Sequence, residues 1–160
     1  MLTYPPFELM APAAPHLRLV ANPPEDRKLQ GPSGEPLRVL IVEDDAMVAA
    51  TLADIVEESG GYVAGAMTSG LASVGAAAGT RPDVIVMDVG LPGMDGIDAA
   101  AIIRSRSPMP IVFISGRDIR EELTRRLGRD LSGVEILLKP IDRDPLCEAV
   151  LRALSRSTPG

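Results

Sequence analysis

The stretch Arg38–Val48, "RVLIVEDDAMV", decides how this chain folds. Val39, Leu40, Ile41 and Val42 make an apolar run of strand length that ends abruptly in Glu43, Asp44 and Asp45. An unbroken run of β-branched and aliphatic residues marks a strand buried on both faces, as in a parallel sheet covered by helices. Three adjacent carboxylates at the mouth of such a strand repel one another and need a positive partner.

The same rhythm recurs downstream. Strands are expected at 38–42, 62–66, 83–87, 111–115 and 134–138, and helices at 46–59, 69–78, 96–105, 117–128 and 143–155. In the first helix Val48, Leu52, Ile55 and Val56 recur at helical spacing, and Gly60-Gly61 ends it. Asp45 and Asp95 stand where helix caps belong. The helix at 69–78 is dominated by Gly and Ala, so it has little side chain to pack and low local stability. Five alternations of strand and helix imply an α/β fold: a doubly wound parallel sheet between two helix layers.

Residues 1–36 hold eight of the fifteen prolines, among them Pro5, Pro6, Pro12, Pro15, Pro32 and Pro36. Proline removes a donor and restricts its predecessor, so a mostly disordered or extended tail is expected there, with the lone His16 solvated. The folded unit is expected over residues 37–156, followed by a short tail at 157–160 that leaves no room for a DNA-binding output domain.

Bulk properties narrow the function. The net charge is -6, the aromatic content 2%, and there is no Trp. An acidic chain poor in aromatics lacks both the basic face and the stacking platform that nucleic acid requires. Cys147 is the only cysteine, so no intrachain disulfide can form. No run approaches the ~18 apolar residues of a membrane span, and the proline-broken N-terminus lacks a basic n-region. A cytoplasmic protein is expected.

In an open parallel α/β sheet, ligands gather outside the carboxyl ends of the strands. The first strand exits into Glu43-Asp44-Asp45, the third into Asp88, the fourth ends at Ser115, and the fifth exits into Lys139-Pro140. Oxygen ligands without Cys or His favour a hard dication such as Mg²⁺ or Mn²⁺, which combines one or two carboxylates with phosphate oxygens. An Asp can act as nucleophile and carry an aspartyl phosphate. With a strand order of 2-1-3-4-5 the third strand is central, which makes Asp88 the best-placed acceptor. Lys139 supplies a point cation and Ser115 a hydroxyl donor.

These residues resemble the receiver domain of two-component response regulators, of the single-domain type. "VLIVEDDAMV" is similar to that family's first strand and acidic pair, "DVIVMDVGLPGMDG" to its phosphorylation segment, "IVFISG" to its fourth strand with the switch hydroxyl, and "LLKPID" to its Lys-Pro corner. The resemblance covers residues 37–156. It implies a (βα)5 flavodoxin-like, CheY-like sheet of order 2-1-3-4-5 in three layers, in a bacterial signalling protein. It implies Asp88 as phosphoacceptor, Glu43, Asp44 and Asp88 as metal ligands together with the backbone carbonyl of Gly90, Ser115 turning toward the phosphoryl group, and Lys139 pairing with it, often with a cis bond to Pro140.

Departures are visible. Ile136 stands where the family often carries Tyr or Phe, and Gly116 where it often carries Ala. "FISG" resembles the Phe-Ala-Thr-Gly signature of a subset of single-domain receivers. The implied donor is a sensor histidine kinase or a histidine phosphotransfer protein, and the output is altered binding to a downstream protein, with homodimer formation left open. The arginines at 117, 120, 125, 126 and 129 offer a docking face, or else a solvated helix interleaved with Asp118, Glu121 and Glu122. Alternatives are a phosphorelay intermediate or phosphate sink, a phosphorylation-independent scaffold, and an aspartyl-phosphate phosphatase. The phosphatase is disfavoured because such enzymes usually carry a second Asp where this chain has Gly90. Self-phosphorylation and slow autodephosphorylation are the only activities expected.

Overall fold

The computed structural model describes residues 29–157. Five strands alternate with five helices: β1 Arg38–Val42, α1 Ala46–Glu58, β2 Tyr62–Met67, α2 Gly70–Thr80, β3 Val84–Asp88, α3 Gly96–Arg106, β4 Ile111–Ser115, α4 Arg120–Leu127, β5 Val134–Leu138 and α5 Arg143–Ser157. The sheet is parallel throughout, in the order β2-β1-β3-β4-β5. Every residue of β3 and β4 is buried, and the edge strands β2 and β5 are partly exposed. The expected fold class and strand order are therefore those observed.

Alternate residues of each strand serve opposite layers, as the two-residue period of a strand requires. Val39, Ile41, Val84, Val86, Val112 and Ile114 pack with Leu52 and Val56 of α1 and Leu146 and Val150 of α5. Leu40, Val42, Ile85, Met87, Ile111 and Phe113 pack with Ala77 of α2, Ile97 and Ile103 of α3 and Leu123 of α4.

The caps form as expected. Asp45 Oδ1 accepts from Met47 N at 2.9 Å and Val48 N at 3.1 Å, and Asp95 Oδ1 accepts from Asp98 N at 2.9 Å. The Gly/Ala composition of α2 has a steric use. A Cβ on Gly70 would collide with the carbonyl oxygen of Met94, so only glycine lets this helix approach the loop before α3 so closely.

Two expectations are corrected. The fourth helix begins at Arg120 rather than 117, because Asp118 Oδ1 accepts from Arg120 N at 3.0 Å and holds the chain in a turn. The second correction concerns the boundary at residue 37. Leu29 is fully buried in the α1/α5 layer. Its N–H donates to Ser59 O at 2.8 Å and its carbonyl accepts from Leu37 N at 2.9 Å, while Gln30 and Pro36 form an antiparallel bridge. Residues 29–36 are thus a folded hook over the end of α1. Pro32 and Pro36 suit a turn and its flank, and a proline count alone does not register one apolar anchor among them. The rest of the expected tail, residues 1–28 with His16, and residues 158–160 lie outside the described residues. Among the described residues no helix is long and apolar enough to cross a membrane.

Leu29→Ala is expected to destabilise the fold by about 2–5 kcal/mol, the usual cost of emptying a buried leucine site. Urea unfolding of the full chain measures it. Deletion of residues 1–34, which removes the same anchor, should lower the unfolding midpoint in the same direction.

Candidate functional site

The sheet order sets the site. β1 and β3 are neighbours, so their exits, Glu43-Asp44 and Asp88, lie side by side. β4 pairs β3 on the other side and brings Ser115, and β5 brings Lys139 one strand further out. Glu43, Asp44, Asp88 and Lys139 come together there, and Ser115 ends the strand next to Asp88. Glu43, Asp44 and Asp88 each offer a carboxylate oxygen, and these oxygens lie within 4.8 Å of one another. Lys139 Nζ stands 3.3 Å from Asp88 Oδ1. The Lys139–Pro140 bond is cis, and Lys139 N donates to Ser115 O at 2.9 Å. A Cβ on Gly90 would lie 3.6 Å from Asp88 Oδ2, so the Gly90 backbone borders the same carboxylate. Gly96 closes the floor, since a Cβ there would strike the carbonyl oxygen of Asp88.

Burial divides the acids. Glu43 is 3% exposed and Asp88 7%, whereas Asp44 is open to solvent. Glu43 Oε1 accepts from Asp45 N at 3.0 Å, but its Oε2 is buried without a hydrogen-bond partner among the described residues. A buried, unanswered carboxylate oxygen in a cluster of hard donors fits a divalent cation. Desolvation, reinforced by the charge of Asp88, pushes the Glu43 carboxyl above its ordinary 4.5, against the opposing pull of the Asp45 N–H and Lys139.

Ser115 Oγ is buried and accepts from Arg117 N at 3.2 Å. Ile136 pairs with Phe113 across the β4–β5 ladder and packs, half-buried, in the α2/α3/α4 layer. Three arginines in and just before the fourth helix are engaged in ion pairs. Arg120 pairs with Asp118, Arg117 Nη2 with Glu122 at 2.7 Å, and Arg126 reaches Asp95, Asp98 and Glu122. The Arg126 contacts span 28 and 31 residues, and neither helical periodicity nor motif spacing signals them.

The response regulator receiver domain matches residues 39–151. The chain belongs to that family. As a receiver it shares 37% identity over 121 residues with the transcriptional regulatory protein PdtaR of Mycobacterium tuberculosis, across 76% of this chain and 58% of that protein. It is also 37% identical over 105 residues to a protein-glutamate methylesterase/protein-glutamine glutaminase of Caldanaerobacter subterraneus, across 65% of this chain and 29% of that protein. This receiver chain thus spans little more than half the first relative and under a third of the second. The crystal structure of a signal receiver domain of a modulated diguanylate cyclase from Desulfovibrio desulfuricans superposes with a TM-score of 0.67 at 34% identity, across 76% of this chain and 96% of that one.

A carboxyl raised by burial makes the folded state bind its proton more tightly than the unfolded state does. The stability it contributes is full below the unfolded value, near 4.5, and is lost as pH rises through the folded value. Glu43→Gln, in metal-free buffer, is therefore expected to be the more stable protein at pH 7, by on the order of 1 kcal/mol. The advantage should close as pH falls toward 4, and calorimetric scans across that range measure it.

Proposed function

We propose that this receiver is a phosphoryl-activated switch in which Asp88 is the phosphoacceptor. The observation that carries the proposal is the setting of Asp88: buried, central in the sheet, flanked by two further carboxylates and 3.3 Å from the Lys139 ammonium. The donor is a phosphohistidine of a sensor kinase or a histidine phosphotransfer protein. An Asp88 carboxylate oxygen forms a bond to phosphorus as the P–N bond of the phosphohistidine breaks. The electron pair of that bond stays with the imidazole nitrogen, and an acyl phosphate remains on Asp88.

Glu43, Asp44 and Asp88, with the carbonyl of Gly90, would hold Mg²⁺ or Mn²⁺. Such an ion, when bound, compensates the charge of the phosphoryl oxygens and of the crowded carboxylates. Lys139 answers one phosphoryl oxygen as a point charge. Ser115 answers another by turning its hydroxyl away from the Arg117 N–H. Output is a change in affinity for a downstream protein, as a free subunit or a homodimer. With Gly90 two residues after the acceptor, no carboxylate stands there as a general acid, so turnover of phosphate esters is not expected. The chemistry is limited to self-phosphorylation and slow autodephosphorylation. A relay or phosphate sink uses the same acceptor and differs only in passing phosphate on to a second histidine. A phosphorylation-independent scaffold would have no use for the unanswered Glu43 oxygen.

Incubation with acetyl phosphate and Mg²⁺ should label the protein, and Asp88→Asn should abolish labelling by intact-mass measurement; labelling retained elsewhere would remove the assignment. Asp44→Ala should weaken Mg²⁺ binding at least tenfold, about 1.4 kcal/mol or more. Titration of the metal alone, followed by amide shifts, gives that affinity.

A further inference from the structure

Two chain segments meet at the acceptor, and one side chain ties their far ends together. The first runs from Asp88 through residues 89–95 to the N-cap of α3, with Gly96 N donating to Val89 O at 3.1 Å. The second runs from Ser115 through residues 116–119 into α4. Arg126, in the last turn of α4, donates through Nη2 to both oxygens of Asp95, at 2.7 and 2.9 Å, and to Asp98 Oδ1 in the first turn of α3. Its Nη1 donates to Glu122 Oε1 at 3.0 Å. The other oxygen of Glu122 accepts from Arg117 Nη2 at 2.7 Å, and the backbone N–H of that same Arg117 donates to Ser115 Oγ at 3.2 Å.

The path from the switch hydroxyl to the α3 N-cap is thus continuous: Ser115, Arg117, Glu122, Arg126, then Asp95 and Asp98. We propose that Arg126 is a positioning residue, the centre of a latch that holds α4 and the loop after β4 in the arrangement that keeps Ser115 turned toward Arg117. Its planar fork meets three carboxylates at once, which a lysine's compact ammonium does not reproduce. The Arg126 side chain is 21% exposed and that of Glu122 20%, so solvent screens their contact less than it does a free surface pair, whereas the Arg117 guanidinium that joins them to the Ser115 loop is 66% exposed. For Ser115 Oγ to reach a phosphoryl group on Asp88 it must leave the Arg117 N–H. The latch resists that movement, because the Arg117 guanidinium is anchored on Glu122. An element that both states share, biased toward one of them, lowers apparent affinity for whatever selects the other. This last step rests on Asp88 as acceptor; the tie between Arg126 and the Ser115 loop does not.

The test uses the full chain and two readouts. The first is hydrogen exchange of the Arg117 amide in the metal-free, unphosphorylated protein. The second is the apparent affinity for beryllofluoride in the presence of Mg²⁺, followed by amide chemical shifts. Arg126→Met should speed Arg117 exchange at least threefold and tighten beryllofluoride binding by roughly fivefold, the low end of ordinary coupling. Glu122→Gln should move both readouts in the same direction, and it carries the test if the Met variant does not fold. Arg126→Lys should restore only part of the effect. Unchanged Arg117 exchange in a folded Arg126→Met or Glu122→Gln variant overturns the latch, as does weaker beryllofluoride binding. A wild-type protein that binds no beryllofluoride would instead count against Asp88 as acceptor, while the exchange measurement still decides the latch.

Discussion

Ionised carboxylates repel, and this fold forces three of them together. Glu43, Asp44 and Asp88 bring oxygens within 4.8 Å of one another, and the ammonium that answers them directly is that of Lys139. The crowding cannot relax along the backbone. Glu43 and Asp88 leave adjacent, fully paired parallel strands, Glu43 N is held by Met67 O at 2.9 Å, and Val89 N by Ile114 O at 3.1 Å. The strain is electrostatic and fixed in place by main-chain hydrogen bonds. It shows in the Glu43 carboxyl, raised by burial and by the charge of Asp88, and in the Glu43 oxygen left without a hydrogen-bond partner among the described residues. A positive ligand is the natural relief.

Glycine makes the crowding possible. Gly96 and Gly70 lie where any side chain would meet a carbonyl oxygen, of Asp88 and Met94 respectively. They let α2 and α3 close against the loop that follows Asp88. The small residues of α2 look like weak helix material in isolation. In the fold one of them, Gly70, lets the helix sit against the carbonyl of Met94 on the path from Asp88 to the N-cap at Asp95.

Much of this was legible in the sequence, for identifiable reasons. Val39–Val42, Val84–Met87 and Ile111–Ile114 are unbroken apolar runs, and a strand buried on both faces leaves no other pattern. Glu43, Asp44 and Asp88 stand immediately after such runs, and Lys139 after the edge strand Val134–Leu138, where the strand ends fix their position. Asp45 and Asp95 carry their helix-capping role in their own side chains. What was not legible depends on partners distant in sequence or, at the start of α4, on a local side-chain competition. Leu29 is one apolar residue near prolines, and only the open end of the α1/α5 layer makes it an anchor. The start of α4 turns on a local competition that Asp118 wins by bonding to Arg120 N. The reach of Arg126 to Asp95 and Asp98 crosses a whole βα unit, and nothing within either helix announces it.

The helices α4 and α5 are held by different forces. α5 buries Leu146, Cys147, Ala149, Val150 and Ala153 against the sheet, whereas α4 buries Leu123 alone. Shifting α5 would expose several apolar side chains, each of which contributes about 1.5–3 kcal/mol when the larger ones are fully buried. Shifting α4 exposes one such side chain and breaks ion pairs that individually contribute about 0–1 kcal/mol. Asp88, its acidic neighbours and Lys139 sit at strand ends that cannot move without tearing the sheet. The helix that follows Ser115 is therefore cheaper to displace than α5, and its position is set largely by charge. The proposed phosphorylation would change the charge at Asp88, and a change in charge is coupled most directly to an element held in place by charge.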